Sequence, residues 1–220
     1  MSPRPRTASD DEILEGVVRA VARVGPARLA LTDVARETGL APATLLQRFG
    51  SKRGMLLAAL EHIAAEGDRR AGEIRSRYPS RVAALVALAA ADVRDDDLPA
   101  TAANRMAFFH GELGDADVHR IALERSRRTV AGFRALIAEA VAGGELASVD
   151  AGRLAQGLHA AVTGAALEWA IFREGPARRW VEAAAEWVLA PYRQGGPGGI
   201  GVGAGEAARP AAGPRARHKL

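Results

Sequence analysis

Apolar residues along this chain recur at intervals of three and four, block after block, and strict alternation is hard to find. Ile13, Leu14, Val17, Val18 and Val21 define the apolar face of a first helix. Ser9 suits its N-cap, Asp10, Asp11 and Glu12 suit the positive end of its dipole, and Gly25-Pro26 stops it. A second helix is expected with Thr32 as N-cap, continuing through Val34, Ala35 and Thr38 to Gly39. Pro42 sits well at the first position of a third, where its missing N–H would have no partner anyway. From Met55 a pattern of Met55, Leu56, Leu60, Ile63 and Ile74 runs to about Arg77, and Tyr78-Pro79 breaks it.

Further helices are predicted over 80–93, 99–111, 115–142, 149–172 and 176–189. The separators "RDDDLP", "GELGD", "AGGEL" and "REGP" carry turn and cap chemistry. From Gln194 onward the chain is rich in Gly, Pro and Ala and has no period, which predicts a disordered tail. The fold class that follows is all-α. A three-helix N-terminal unit over 1–54, arm included, precedes a helical body over 55–192 and a basic tail over 193–220.

Composition sharpens this picture. Aromatic residues make up only 5% of 220 residues while 48% are hydrophobic, a balance that favours helices packed on helices. The chain has no cysteine, which excludes disulfides and Cys-bearing zinc or iron–sulfur sites. No apolar run reaches the ~18–20 residues of a membrane span, and "MSPRPRTASDDE" lacks the apolar core of a signal peptide. A cytoplasmic protein without a membrane partner is expected. The net charge of +4 is uneven: residues 1–60 hold nine basic against six acidic side chains, and 61–192 hold sixteen against nineteen. That change of sign predicts two surfaces with different partners.

The most specific stretch is "LTDVARETGLAPATLLQRFGSKRGML", Leu31 to Leu56. Gly39 supplies the left-handed backbone that ends one helix within a residue. Leu40 is a spacer, and Leu45 and Phe49, four apart, pin the next helix to a core. Ala43, Thr44, Leu46, Gln47 and Arg48 are left facing outward. A helix, a glycine turn and a short second helix make a helix-turn-helix, which lays its second helix in the DNA major groove. Gln reads adenine, Arg reads guanine, and a Thr methyl packs on thymine. Lys52, with the N-terminal amides of the following helix, suits a phosphate.

The stretch "T-D-V-A-R-E-T-G-L" into "A-T-L-L-Q-R-F-G-S-K" resembles the DNA-binding module of the tetracycline-repressor (TetR) family. About fifty residues carry the dense motif, and the helical body agrees more loosely to about Tyr192. The resemblance implies a homodimer on a palindromic operator and a C-terminal domain that binds a small effector. It places Thr32, Pro42, Thr44, Leu46, Gln47, Arg48 and Lys52 at or near double-stranded DNA, with Ala43 beside them. Two departures stand out: Ala41 replaces a frequent Ser at the cap of the recognition helix, and Leu46 replaces a phosphate-binding Tyr. The missing phosphate anchor is either lost or supplied by Arg28, Arg36 or Arg48.

In the body, Gly157, Ala161, Gly164 and Ala165 form a small-residue strip on one predicted helix. Trp180, Val181, Ala184, Trp187 and Val188 form an apolar stripe on another. Intramolecular packing would explain both; a four-helix dimer seam agrees with the spacing and the resemblance together. Candidate walls of an effector pocket are Met106, Phe108, Phe109, His110, Phe133, Trp169 and Phe172, with His62, Arg105, Glu112 and His159 as polar contacts. The acids Asp95 to Asp97 read as a solvated run, and no phosphate loop, dinucleotide fingerprint or nucleophile motif occurs. The expectation is a regulator, not an enzyme, needing no cofactor or metal and binding an unknown small-molecule effector. An effector-independent regulator, and a helical enzyme or carrier with a vestigial helix-turn-helix, are the rivals.

Overall fold

A computed structural model describes residues 8–93, 98–111 and 113–194, apart from the His110 side chain. Among them lie nine α-helices: α1 (Asp10–Val24), α2 (Leu31–Thr38), α3 (Pro42–Phe49), α4 (Lys52–Arg77), α5 (Arg81–Ala89), α6 (Pro99–His110), α7 (Ala116–Ala142), α8 (Ala151–Phe172) and α9 (Ala177–Leu189). A 3₁₀ turn, Ala190–Tyr192, follows α9. The expected runs Asp95–Asp97, Glu112 and 195–220 lie outside the described residues.

The helix starts follow the sequence chemistry closely. Ser9 and Glu12 close a reciprocal capping box: the Glu12 N–H donates to Ser9 Oγ at 3.2 Å, and the Ser9 N–H donates to Glu12 Oε2 at 2.8 Å. Ser80, Asp115 and Asp150 cap α5, α7 and α8 in the same sense. Two boundaries differ from expectation. The N-cap of α2 is Ala30, not Thr32, because Asp33 reaches back to accept the Ala30 N–H at 2.9 Å. Helix α5 stops at Ala89, short of Val93, where the chain turns before it reaches α6.

The apolar residues collect in two main cores. One joins Ile13, Val17 and Val21 of α1, Val34, Leu45, and Met55, Ala59 and Leu60 of α4, with Phe108, Val118 and Ile121 closing it from the body. The other joins Leu85 of α5, Phe133, Leu136 and Ile137 of α7, Leu154 and Leu158 of α8, and Val181 and Leu189 of α9. Helix α4 spans both, giving Met55 and Leu60 to the first and Ile74 to the second. Its 26 residues carry the chain about 40 Å at 1.5 Å per residue.

Glu145, between α7 and α8, ties the far end together. Its carboxylate accepts from Ser80 Oγ at 2.5 Å and from the N–H groups of Arg81 and Val82 at 2.7 and 3.2 Å. Burial would push this carboxyl up, but those donors at the N-terminus of α5 outweigh it and hold the group below its usual range. Next to it, Leu146 and Arg193 form an antiparallel bridge that fastens the end of the described chain.

Candidate nucleic-acid interface and effector cavity

Helix α3 has one face in the N-terminal core and the other in solvent. Leu45 is buried and Phe49 packs beside it, so the opposite face presents Pro42, Ala43, Leu46 and Gln47 outward, with Thr44 half-buried. Gly39 caps α2 at φ 71°, ψ 8°, left-handed as the motif requires, and a side chain there would meet open space. The constraint at Gly39 is therefore backbone conformation alone. Ala41 makes no side-chain cap bond, leaving the first amides of α3 without that partner.

The polar and charged residues around α3 divide into two groups. Thr32 is exposed in the first turn of α2, and Lys52 is half-buried in the first turn of α4. Arg28 is exposed just beyond α1 and donates from Nε to the Val24 carbonyl at 3.1 Å. Arg36 is exposed and pairs with Asp33 at 3.3 Å. The acids of α2 are largely occupied, since Glu37 accepts from Arg23 at 3.1 Å and Asp33 is held by Ala30 and Arg36. Arg48 is exposed, as expected, and is also engaged within the protomer. It donates to the Ala8 carbonyl at 2.6 Å and pairs with Asp10 at 3.0 Å, so it fastens the start of α1 to α3. Sequence spacing alone does not show this link across forty positions.

A cavity of about 140 Å³ opens in the body. Of the expected wall residues, Arg105, Met106, Phe109, Phe133, His159 and Trp169 line it. Phe108 does not: it points from the other face of α6 into the N-terminal core. His62 faces Asp11 across α1 and α4, with Nδ1 and Oδ1 3.3 Å apart. Phe172 lies outside too, stacked on Trp180 with ring centroids 5.7 Å apart. Residues missed by the sequence reading supply much of the rest, including Leu88, Asp92, Val93, Arg125, Thr129, Val162 and Thr163. Asp92 and Arg125 carry no local signal, since they meet only when α7 packs against the end of α5. Among the described residues no group of three or more His, Asp or Glu side chains is placed to hold a metal ion.

The family model for bacterial regulatory proteins of the tetR family matches residues 13–59, the span from α1 through α3 into α4. Residues 13–59 are thus a TetR-family DNA-binding domain. The chain is a DNA-binding transcriptional regulator built on the helix-turn-helix of that family. Over 160 residues it is 27% identical to the HTH-type transcriptional regulator BetI of Rhizobium meliloti (strain 1021), covering 68% of this chain and 78% of that protein. The transcriptional regulator FadR of Bacillus subtilis, solved with stearoyl-CoA, superposes with a TM-score of 0.64 at 14% identity, over 81% of this chain and 97% of its own. A cysteine variant of the TetR-family regulator CifR, solved with 26-base-pair operator DNA, gives a TM-score of 0.63 at 22% identity, over 85% and 98% of the two chains. These likenesses extend the TetR-like fold through the body, well beyond the helix-turn-helix.

On the outer side of α8 and α9 this regulator exposes a wide apolar face. Trp187 is 78% exposed, Ile171 62% and Phe172 56%, with Leu167 beside them. Gly157 and Gly164 face open space, where an added side chain would touch nothing within the protomer. Ala161, Trp180 and Ala184 are half-buried, whereas Ala165 and Val188 turn inward against the second core.

Proposed function

We propose that two copies of this regulator pair through α8 and α9, that each sets α3 into the major groove of one operator half-site, and that a small molecule in the cavity releases the DNA. The observation that carries this reading is the outward face of α3 beside its buried Leu45, at the end of a left-handed glycine turn. In such a module Gln47 and Thr44 read base edges, while Thr32, Lys52, Arg28 and Arg36 meet phosphates. Residues 1–54 form the reading unit, and 55–192 the effector and dimer unit.

Pairing is supported by the unpartnered face itself, since exposed apolar residues flanked by open glycines suit a second helix pair approaching closely. A two-fold operator also demands a two-fold protein. The effector is supported by the cavity and by the ligand-bound relative with the same fold. Helix α6 is placed to couple the two units. Ala102, Arg105, Met106 and Phe109 face the cavity. On its other side Asn104 donates to the Ala22 carbonyl at 2.9 Å, and Phe108 enters the N-terminal core. A second tie joins Arg53, one position into α4, to Asp115 and Asp117 at the start of α7, at 2.9 and 2.7 Å. A ligand that moves α6 or α7 therefore moves the reading units relative to each other. It must bind the released state more tightly, because equal affinity shifts nothing.

Genome-wide footprinting of the full chain tests the reading. The expected result is a two-fold symmetric site with half-sites one helical turn, or a multiple of it, apart. Binding to DNA without such symmetry would refute the dimer, and no sequence preference at all would refute the regulator.

A further inference from the structure

The cavity holds one feature that its apolar lining does not explain. Asp92, in the turn after α5, is shared between two guanidinium groups. Arg70 of α4 donates to one carboxylate oxygen at 3.0 Å, and Arg125 of α7 pairs with the other. One carboxylate between two arginines leaves this triad with a net positive charge. Arg70 has further company, because it also donates to the Ala91 carbonyl at 2.9 Å and lies closer to solvent. Arg125 is the inner member, its side chain 22% exposed and its guanidinium carbon 4.4 Å from the Phe109 ring centroid. Both Arg125 and Phe109 line the cavity. A cation beside apolar walls has lost much of its water and favours a counter-charge.

We propose that the cavity takes a small organic anion, of one-ring size, whose carboxylate pairs with Arg125 while its apolar body rests among Met106, Phe133, Val162 and Trp169. This rests on the effector reading above and gives it a ligand class. Size supports it, since 140 Å³ is close to the ~150 Å³ that admits a benzene molecule in an engineered apolar cavity. Charge supports it, because an anion completes the half-neutralised Arg125, whereas a cation has to compete with two arginines for Asp92. Arg105 and His159 share the wall and Asp92 is its one described carboxylate. Position supports it as well. Arg125 and Phe109 also border a smaller void with Leu60, Val118 and Ile121 of the N-terminal core. An anion that draws Arg125 from the Phe109 face alters packing against α4, next to the reading unit.

Calorimetric titration of the full chain with benzoate, benzamide and benzamidine, one shape in three charge states, tests the proposal. Benzoate is expected to bind roughly ten- to a hundredfold more tightly than the other two. Arg125→Lys keeps that preference and Arg125→Gln removes it. Asp92→Asn, which frees Arg125 from its competitor, strengthens benzoate binding and leaves benzamide unchanged; this variant decides the matter if Arg125→Gln fails to fold. Benzamidine binding most tightly, equal binding of all three, no benzoate binding at millimolar concentration, or weaker benzoate binding to Asp92→Asn would each overturn the proposal. Operator binding by the ligand-free protein is measured alongside. Its absence refutes the regulator reading whatever the cavity prefers, while a ligand of another charge refutes only the ligand class.

Discussion

Replacing Trp187 by Ala should break the proposed α8–α9 dimer without unfolding the protomer. A Trp side chain presents on the order of 200 Å², so 78% exposure leaves about 150 Å² available to a partner. At ~25 cal/mol per Å² that area is worth about 4 kcal/mol if wholly buried on association. Ala retains part of it and the rim of an interface stays wet, so about 2 kcal/mol per copy is a fairer loss. A two-fold seam contains the residue twice, which brings the cost to about 4 kcal/mol, or roughly a thousandfold in Kd. Sedimentation equilibrium over a wide concentration range reads this directly, and circular dichroism should show unchanged helix content, because so exposed a side chain contributes little within its own protomer. Operator affinity should fall with the dimer, since one half-site alone binds weakly. An unchanged dimer constant for Trp187→Ala would refute the placement of the seam, and a monomeric native protein at micromolar concentration would refute the dimer altogether.

Other substitutions separate reading from anchoring and folding. Gln47→Ala should relax preference at particular base pairs at a cost of about 1–3 kcal/mol, whereas Lys52→Ala should weaken all sequences alike and make the salt slope shallower by roughly one unit; operator titrations against salt distinguish them. Gly39→Ala, strained only by φ 71°, should cost about 1 kcal/mol. Gly25→Ala should cost more, roughly 1–3 kcal/mol by thermal melts, because φ is 85° and the new Cβ would lie 2.8 Å from Asn104 Oδ1. Asp115, held by Arg53, and Glu145, held by Ser80 and the α5 amides despite its burial, both titrate below their ordinary values in the fold. Their stabilisation is complete above the unfolded values near ~4 and is lost as pH falls through the lower folded values, so melting temperature should drop below about pH 4. Glu145→Gln should cost about 1 kcal/mol at neutral pH and flatten that acid drop.

The helix order, most caps and the helix-turn-helix were legible in the sequence because each depends on residues within a few positions. Ser9 as the cap of α1, and Gly39 followed by Pro42, are local chemistry. The alternation of Leu45 with exposed Leu46 and Gln47 is likewise a matter of helical period. The α2 cap went to Ala30 because the Asp33 carboxylate competed better than the Thr32 hydroxyl, a choice between near neighbours that residue preference alone leaves open.

Tertiary structure decided whatever depends on which side of a helix meets which neighbour. Consecutive residues Phe108 and Phe109 both meet the N-terminal core, but only Phe109 also lines the cavity, because α6 lies between the two. Arg48 lies on a recognition helix, yet it is tied to Ala8 and Asp10 once α1 packs beside α3. Asp92 and Arg125, thirty-three positions apart, become a charged pair at the cavity only through the packing of α7 against the end of α5. Helical period determines which residues share a face; only the packed helices determine what that face touches.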